Sequence, residues 1–597
     1  MLTLDDKIDI LRAAKDYKSL ALALGLEPSK LSATVKFCDK KTTYKTFTIK
    51  KKNGGTRIIS EPPVEFKFIQ SRIAQILKLV ARGEKPTFTQ ELIFKRTSHG
   101  SIKRTNIITN SRRHSKSGAV LNFDLKDFFP SVHAGRISGF LSTDKRLQFS
   151  DFSSRQIAYF ATYEGSLPQG SSLSPILADL IAGNLDAKLQ RLCRKERFRY
   201  SRYVDDITIS THLTEFPSSI VETFSDGSVK IGGSIDKAVN KSGFSVNHDK
   251  TRVHYAKSRQ SCTGMVINSY PNINSEEYKL SRAAFRTLQK TGHFHIRGTQ
   301  YNYKNANILL SRVDRVVYAR DLERERKILE GKLIETLSKD EKSNTKNDEN
   351  IESDNTPKNK KSTKKTPSGD RILLERLTFY HLFSQPIRPT LLCEGSLDHF
   401  HIRRAKKITS FKFSGKPQKN SIYDRMRLSE LSERQRKLLQ VGGGATQLKN
   451  FVATFGKNNS FSMIKSPPKP VFCLFDNDKA GREVIGAIKN KYNINIPLNT
   501  HGKAEVGPFH VCGNLWVLFT PATDSDTTIE NCYSKQVLKR LIDGKTFNPS
   551  SAADTHTQYG KNSFANKIAQ KLSDKNDFSD FLPVLKGIEK VLSDFYS

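Results

Sequence analysis

Three aspartates stand on or beside strand-like runs of apolar residues, and their spacing suits polymerase-type phosphoryl transfer. Asp205 and Asp206 lie in YSRYVDDITIS, and Asp124 ends the apolar run AVLNF 81 residues before Asp205. Hard divalent cations prefer carboxylate oxygens, and two Mg²⁺ ions bridged by such acids can activate a sugar hydroxyl and neutralise a leaving pyrophosphate. Taken alone, Asp205 and Asp206 could form a solvated turn, and Asp124 could be a helix N-cap.

The adjacent pair makes a demand on the element that carries it. Side chains alternate between the two faces of a strand, so one of two neighbouring acids would point away unless the strand turns between them. A tight hairpin would present both carboxylates at its tip. Two short strands joined at Asp205 and Asp206 would meet this requirement.

A second group of acids follows apolar runs in the C-terminal part of the chain. Glu394 follows TLLC in RPTLLCEGSLDHFHI, and Asp476 and Asp478 follow VFCLF in PVFCLFDNDKAGREVI. Parallel strands keep ligands at their carboxyl ends, so these three acids could share a Mg²⁺ site. Asp398 and Glu530 are weaker candidates for a second metal. Their alternatives are a helix-start acid and a surface acid, and DND by itself is typical of a turn.

Composition narrows the class of partner and the compartment. The chain has 597 residues and a net charge of +39, which favours a partner rich in phosphates. No apolar run approaches the roughly 18–20 residues that span a bilayer, so no membrane contact is expected. The N-terminal stretch MLTLDDKIDILRAAKDYKSLALALGL has early acids and predicts a helix pair, not a signal peptide. Seven cysteines without a CxxC pair indicate reduced thiols in a cytosolic protein.

Three further segments place these acids in a larger organisation. KKNGGTRIISEPPVEFKFIQ predicts a basic hairpin followed by a helix, and GSLPQGSSLSP is a small-residue loop that opens a helix. Segment 338–369 contains one isoleucine and no other large apolar residue, which predicts a flexible linker. After it, apolar runs alternate with helical stretches, as in a parallel α/β sheet. Arg57 and Lys67 could meet a triphosphate, with ordinary surface charge as the alternative.

The order of the N-terminal motifs resembles that of a reverse transcriptase. The motifs are RIISEPP…FKFIQ, NFDLKDFF, LPQGSSLSP, YVDD and GFSVNHDKT. The resemblance implies that Asp124, Asp205 and Asp206 are catalytic metal ligands for Mg²⁺, with Mn²⁺ as an alternative. It also implies a set of nucleotide-binding residues: Arg57 and Lys67 on the triphosphate, Phe129 as the steric gate against a ribose 2′-hydroxyl, Gln169 at nucleotide and template, and Lys250 near the leaving pyrophosphate.

Two more motifs resemble those of retron reverse transcriptases. ITNSRRH is similar to their NAxxH element with Ser111 in place of alanine, and SCTGMVIN is similar to their VTG element with Cys262 in place of valine. YVDD has Val204 where retrons usually carry alanine. The resemblance implies four residues that recognise RNA: Asn110, His114, Thr263 and Gly264. For Asn110 and His114 the alternative is a hydrogen-bonded turn.

Membership of that family would imply a particular reaction in the bacterial cytoplasm. The enzyme binds its cognate non-coding RNA and primes DNA synthesis from the 2′-hydroxyl of a guanosine, using deoxynucleoside triphosphates. The product is branched RNA-linked DNA, called msDNA. The sequence carries no ribonuclease H signature, so a host ribonuclease H would trim the template. The oligomeric state is left open, with a homo-oligomer as one option.

The C-terminal motifs resemble a Toprim domain. EGxxD at Glu394 to Asp398, the glycine turn of VGGGATQLKNFV, and DxDxxG from Asp476 to Gly481 occur in the order of that family. The resemblance implies nuclease-type chemistry, with Glu394 as general acid or base and with Asp476 and Asp478 as Mg²⁺ ligands. A retron enzyme with a fused Toprim domain implies a toxic effector in anti-phage defence, which the branched DNA restrains. The nucleic-acid target could be DNA, tRNA or another RNA.

The predicted fold is an α+β right-hand polymerase with fingers, palm and thumb, followed by an α/β Toprim domain with a parallel sheet. The predicted domains are a helical segment (1–45), fingers and palm (46–270), a helical thumb (271–337), the linker (338–369), the Toprim domain (370–545) and a helical extension (546–597). One alternative is a reverse transcriptase whose Toprim domain is inactive and serves as a nucleic-acid-binding scaffold. Another is a group II intron maturase, which would usually bring an X/maturase or HNH domain.

Overall fold

The computed structural model describes residues 2–50, 55–82, 97–102, 105–225, 228–324, 368–409, 427–428, 431–441, 444–459, 468–549 and 556–596. The predicted linker lies outside these ranges, apart from residues 368 and 369. The contacts of the chain divide it into two compact units. The first contains 1–274 and 318–347, and the second contains 275–317 and 348–597.

The first unit combines helices with short antiparallel strands. Its helices are α1 (Leu4–Ala13), α2 (Tyr17–Leu24), α3 (Pro28–Phe37), α4 (Lys40–Thr43), α5 (Val64–Arg82), α6 (Ile107–Arg112), α7 (Ala134–Thr143), α8 (Asp151–Ala161), α9 (Ser174–Ile181), α10 (Gly183–Lys195) and α11 (Gly233–Asn240). Its strands are β1 (Lys45–Lys50), β2 (Thr56–Glu61), β3 (Ala119–Lys126), β4 (Arg199–Tyr203), β5 (Asp206–Thr211), β6 (Val221–Thr223), β7 (Val229–Ile231), β8 (Ser245–Tyr255), β9 (Ser261–Cys262) and β10 (Met265–Val266).

The central sheet of the first unit has the strand order β4-β5-β3-β8, with every pair antiparallel. In β3, Leu121, Phe123 and Leu125 are buried in the core of this unit, whereas Asn122 and Asp124 face the other side. This alternation follows from the two-residue period of a strand. It leaves one face of the sheet apolar for the helices and the other face available for polar side chains.

The local predictions for the N-terminal region are confirmed. Helices α1 and α2 form the predicted helix pair: α1 begins with a capping box between Thr3 and Asp6, and α2 ends at Gly25 in the left-handed conformation (φ 65°). The predicted basic hairpin is β1 paired with β2, and α5 follows it.

The second unit is built mainly around a five-stranded sheet. Its helices are α12 (Ser275–Thr291), α13 (307–324, which begins in this unit), α14 (Gly369–Phe379), α15 (Asp398–Ile408), α16 (Glu433–Leu439), α17 (Ala445–Asn459), α18 (Lys479–Tyr492), α19 (Lys535–Leu538), α20 (Lys561–Ser563) and α21 (Leu582–Tyr596). Its strands are β11 (His293–Ile296), β12 (Thr299–Asn302), β13 (Thr390–Cys393), β14 (Arg427–Leu428), β15 (Val471–Phe475), β16 (Phe509–Cys512), β17 (Leu515–Phe519), β18 (Thr546–Phe547) and β19 (Gln558–Tyr559).

The order of the large sheet is β14-β13-β15-β17-β16. The first four strands are parallel, as the sequence predicts, and β16 adds an antiparallel edge. All five residues of β15 are buried because helices cover both faces. Phe472 and Leu474 pack toward α15 and α21, whereas Val471, Cys473 and Phe475 pack toward α17 and α18.

Two segments pack differently from the predicted domain boundaries. Residues 275–317, within the predicted thumb, share an apolar core with α14 in the second unit. Residues of the predicted C-terminal extension, including those of α21, belong to the same core as β13, β15 and β17. Within the described ranges, no helix is both long enough and apolar enough to cross a bilayer.

Candidate functional site

The β4–β5 turn carries the adjacent aspartates, as predicted. Tyr203 and Asp206 are the last cross-strand pair, and Val204 adopts a left-handed conformation (φ 62°) that reverses the chain. The hairpin therefore places Asp205 at its tip and Asp206 at the start of β5.

The neighbouring strand brings the third carboxylate to the same place. Asp124 on β3 is the register partner of Asp206, and the backbone N–H of Leu125 donates to the carbonyl of Asp205 at 2.9 Å. Burial, and then the charges of Asp124 and Asp205, raise the pKa of Asp206 to about 7. Burial and Asp124 also raise the pKa of Asp205. The structure thus gathers three acids whose negative charges oppose one another, which is the condition that a bound cation relieves.

A lysine partly offsets this charge. The Lys250 ammonium group donates to Asp124 Oδ2 at 2.5 Å, and this bond raises the pKa of Lys250. Among the residues that the structure describes, no group of three His, Cys, Asp or Glu side chains is placed to hold a metal ion. Carboxylate ligands of the kind that divalent cations prefer are present at the turn, since Asp124 and Asp206 are register partners and Asp205 is adjacent, although the three are not in coordinating positions.

The glycine-containing loop 165–173 is fixed against the β1–β2 hairpin. The Ser60 N–H donates to the carbonyl of Gln169 at 2.7 Å. Gly170 has φ 130°, and a Cβ there would lie 2.8 Å from the Ser60 carbonyl oxygen, so only glycine fits. The side chain of Gln169 is half-buried in this loop, which leads into α9.

The other predicted nucleotide-binding residues have separate environments. Arg57 is exposed on β2, and its charge lowers the pKa of Asp205 against the larger opposing effect of burial. Lys67 forms an ion pair with Glu61 at the end of the same hairpin. Phe129 is half-buried beyond β3 and contacts the edge of Phe128, with ring centroids 5.5 Å apart.

The predicted RNA-recognition residues are less accessible than the sequence suggests. Asn110 and His114 are both 0% exposed. His114 bonds the hydroxyls of Ser201 (2.7 Å) and Ser210 (2.8 Å), whereas Asn110 Nδ2 donates to Cys262 Sγ (3.3 Å). The geometry therefore does not bring these two side chains to a surface where they could touch RNA. They connect the α6 segment to the hairpin that carries the aspartates and to β9.

Thr263 and Gly264 form the turn between β9 and β10, both with left-handed backbone (φ 47° and 78°). The Thr263 hydroxyl lies 3.0 Å from that of Ser111 and donates to the carbonyl of Ile107 at 3.3 Å. Ser111 thus bonds the β9–β10 segment directly. Ser111 and Thr263 join the two elements into one structural unit, although they are 152 positions apart in the sequence.

The second acidic cluster lies at the carboxyl ends of β13 and β15. Glu394 follows β13, and its Oε2 accepts a 3.4 Å hydrogen bond from the N–H of Asp476. Burial and Asp478 raise the pKa of Glu394 to about 7, whereas burial, Asp398 and Glu394 raise that of Asp476 to about 9. Such mutual repulsion between buried acids again suits a cation.

The remaining acids of this cluster are also engaged locally. Asp398 Oδ2 accepts from the Gly395 N–H at 2.6 Å, and burial followed by Glu530 raises the pKa of Asp398 to about 6. Asp478 caps α18 and accepts from the Gly481 N–H at 3.0 Å. Asp478 therefore has the local backbone role that the alternative of a DND turn predicts. It also lies close enough to raise the pKa of Glu394.

Glu530 is not a surface acid, so that alternative is wrong. It is 1% exposed, and its Oε2 accepts from the Thr528 hydroxyl (2.8 Å) and pairs with the Lys561 ammonium group (3.1 Å). Sequence reasoning missed Lys561, because nothing in GKNSF marks a lysine that packs against acids. Burial lowers the pKa of Lys561, but Glu530, Asp476 and Asp398 together outweigh burial, so the pKa is raised. Lys561 therefore places a positive charge against this cluster.

Sequence reasoning also missed a buried arginine beside the first site. Arg202 lies in β4 and pairs with Asp179 and Asp186 at 3.0 and 2.7 Å. Two features of the sequence could have indicated this buried ion pair. Arg202 is a charged residue within a strand suited to burial, and Asp179 is an acid within the apolar helix SPILADLI.

Residues 49–280 match the family model described as "Reverse transcriptase (RNA-dependent DNA polymerase)". The chain is 31% identical over 270 residues to the retron Mx162 reverse transcriptase of Myxococcus xanthus, covering 42% of this chain and 53% of that protein. It is 28% identical over 243 residues to the retron Ec86 reverse transcriptase of Escherichia coli, covering 40% and 68%. A solved structure of apo telomerase from Candida tropicalis is 14% identical, covers 46% of this chain and 51% of its own, and has a TM-score of 0.28.

The matched segment contains the first acidic site and ends before the second. Residues 49–280 are therefore similar to a reverse transcriptase domain, including those of retron enzymes. The chain spans about half the length of the Mx162 enzyme.

Proposed function

We propose that this protein is a retron-type RNA-directed DNA polymerase that copies its cognate non-coding RNA into msDNA. The supporting observation is that Asp124, Asp205 and Asp206 meet at the β4–β5 turn, inside a segment similar to retron reverse transcriptases. Priming from a guanosine 2′-hydroxyl, deoxynucleoside triphosphates as substrates and template trimming by a host ribonuclease H belong to the same proposal.

The three aspartates would hold divalent metal ions, Mg²⁺ or Mn²⁺. Bound ions of this kind activate the attacking hydroxyl and neutralise charge on the leaving pyrophosphate. Asp206 and Asp124 point to one place because they are paired across adjacent antiparallel strands. Lys250, whose ammonium group bonds Asp124, would offset the charge of the pyrophosphate once the acids are neutralised.

The residues around the acids would select and orient the nucleotide. Arg57 lies near Asp205 on an exposed strand, where its guanidinium group could bind the triphosphate. Phe129 follows β3 and would exclude a ribose 2′-hydroxyl by its bulk. Gln169 would contact nucleotide and template from a loop that its own backbone holds against β2. Lys67 is a weaker candidate because Glu61 already pairs with it.

For the second unit we propose a Toprim-type, metal-dependent nuclease that acts as the effector in anti-phage defence, with msDNA as its guard and inhibitor. The supporting observation is that burial and neighbouring acids raise the pKa values of Glu394, Asp398 and Asp476 at the carboxyl edge of a parallel sheet. Glu394 would act as general acid or base beside the metal ligands Asp476 and Asp478. The alternative is an inactive scaffold that binds nucleic acid, for which the high positive charge is sufficient.

One experiment tests the polymerase proposal directly. The protein is purified from its native locus, and the co-purifying nucleic acid is sequenced and treated with a debranching enzyme. We expect DNA joined to RNA through a 2′–5′ linkage, and we expect none from the Asp205→Asn and Asp206→Asn double variant. Recovery of RNA alone from the wild-type protein would contradict the proposal.

A further inference from the structure

Arg202 is a buried charge on the strand that leads into the β4–β5 turn. It is 0% exposed, yet its side chain has hydrogen-bond partners on three sides. Nε and Nη2 donate to the two carboxylate oxygens of Asp186 at 2.8 and 2.7 Å, and Nη2 also donates to Asp179 Oδ1 at 3.0 Å. Tyr200 donates its hydroxyl to the same Asp186 at 2.7 Å. A bidentate pair of this kind fixes the plane of the guanidinium group.

The remaining arm of the guanidinium group reaches the turn itself. Nη1 donates to the carbonyl of Val204 at 2.9 Å. Val204 is the β-branched residue with left-handed φ that lies immediately before Asp205. A left-handed φ causes steric strain in a β-branched residue, so this conformation persists only where surrounding contacts stabilise it. The Arg202 side chain supplies one such restraint.

The backbone around Arg202 supplies a second restraint. Segment 97–102 runs beside β4: the Arg202 N–H donates to the Thr97 carbonyl (2.8 Å) and the His99 N–H donates to the Arg202 carbonyl (2.9 Å). Gly100 then packs on the turn so closely that an added Cβ would lie 2.6 Å from Val204 Cγ2 and 2.9 Å from its nitrogen. The turn is thus held from the arginine side and from the glycine side.

We propose that Arg202 is a positioning residue that sets the place of the Asp205 carboxylate by holding the Val204 carbonyl. This inference rests on the proposed polymerase function of the same site. Asp179 and Asp186 fix the orientation of the guanidinium group from the interior of the unit. Through its hydrogen bond to the Val204 carbonyl, the guanidinium group then restrains the turn. Arg202 touches neither substrate nor metal in this role.

Lysine cannot replace the fork. Its ammonium group keeps the charge that the buried Asp179 and Asp186 require, but it lacks the planar array of donors that binds Asp186 and Val204 together. Arg202→Lys should therefore leave a folded protein with a loosened turn. Gly100→Ala reaches the same turn without touching the ion pairs. The matched control is Arg155→Lys, because Arg155 pairs with Asp151 on an exposed helix, with both side chains 72% exposed.

The test measures single-nucleotide extension of a primer on an RNA template, RNA affinity, melting temperature and Mn²⁺ affinity by electron paramagnetic resonance. For Arg202→Lys and for Gly100→Ala we expect kcat to fall about 10- to 100-fold, the cost of a misplacement of about 1 Å. RNA affinity and KM for the nucleotide should stay within about twofold, and Mn²⁺ binding should weaken. Arg155→Lys should match the wild type in every measurement.

Each other outcome overturns the inference in a recognisable way. If Arg202→Lys keeps wild-type kcat and Mn²⁺ affinity, the fork does not position the turn. If kcat, RNA affinity and melting temperature fall together in both variants, the network only holds the fold. If the wild-type protein itself extends no primer, the polymerase proposal fails and this inference fails with it.

Discussion

His114→Ala tests whether the buried histidine holds the fold or recognises RNA. The imidazole ring is 0% exposed and links the hydroxyls of Ser201 and Ser210, which belong to the two strands of the aspartate hairpin. Alanine removes both hydrogen bonds and leaves a cavity of about the size of the ring. The change therefore acts on the interior of the first unit, beneath the site and away from solvent.

The expected loss of stability follows from these contacts. Two hydrogen bonds contribute about 1 kcal/mol each, and the cavity adds about 1–2 kcal/mol, so the free energy of unfolding should fall by about 3–4 kcal/mol. For a unit of this size, that corresponds to a decrease of at least about 6 °C in melting temperature. The control is His248→Ala, because His248 is exposed on β8 of the same sheet and should change the melting temperature very little.

The pH dependence of stability provides a second test of the burial of His114, and its direction can be derived. Burial, and then the charge of Arg113, lower the pKa of His114 well below its ordinary value of 6.5. The folded protein therefore binds fewer protons at this residue than the unfolded chain does, so its contribution to stability is complete above about pH 6.5 and declines as the pH falls below that value. The wild type should lose more stability than His114→Ala between about pH 7 and pH 5.

Calorimetry across that pH range measures both effects, and primer extension is then compared on two templates at a temperature where the variant is folded. We expect the variant to lose self-primed synthesis and generic primer extension in equal proportion. A melting temperature within about 2 °C of the wild type would refute the burial argument. A selective loss of self-primed synthesis with unchanged stability would instead support direct RNA recognition.

Four other changes test the remaining assignments. Asp205→Asn with Asp206→Asn should abolish DNA synthesis while RNA affinity persists, because the basic surface is untouched; normal DNA yield on a gel would exclude the metal role. Phe129→Ala should raise ribonucleotide incorporation at least about tenfold in a competition assay, and unchanged discrimination would remove the steric gate from this residue. Glu394→Ala should leave DNA yield intact and abolish toxicity and phage protection, so full protection in plaque counts would favour the scaffold alternative. Lys561→Met should lower the free energy of unfolding by about 2–4 kcal/mol, since it leaves the buried carboxylate of its partner without a cation; an unchanged calorimetric transition would contradict this pairing.

Local sequence was sufficient for the elements that carry the acids. The alternation of YSRYVDDITIS predicts two strands and a turn, and AVLNF predicts the strand of Asp124, because the period of a strand is a property of adjacent residues. The apolar runs before Glu394 and Asp476 likewise predict buried parallel strands, and the structure confirms that arrangement. The order of the motifs along the chain also indicated a resemblance to reverse transcriptases, and the family match over residues 49–280 bears out that resemblance.

The tertiary structure decided which side chains meet, because packing joins residues that are distant in the chain. Lys561 reaches Glu530 only because the C-terminal segment shares the core of the large sheet. Asn110 and His114 are polar and flank two arginines in NSRRH, so their sequence context suggests a surface, yet both side chains are packed beside the aspartate hairpin and β9. Arg202 is held by aspartates from α9 and α10, and no local pattern encodes that pairing. The periodicity of the sequence specifies which face of a helix or strand is apolar. A charge removed from water is stable only beside an opposite charge, and which residue supplies that charge depends on how whole elements pack.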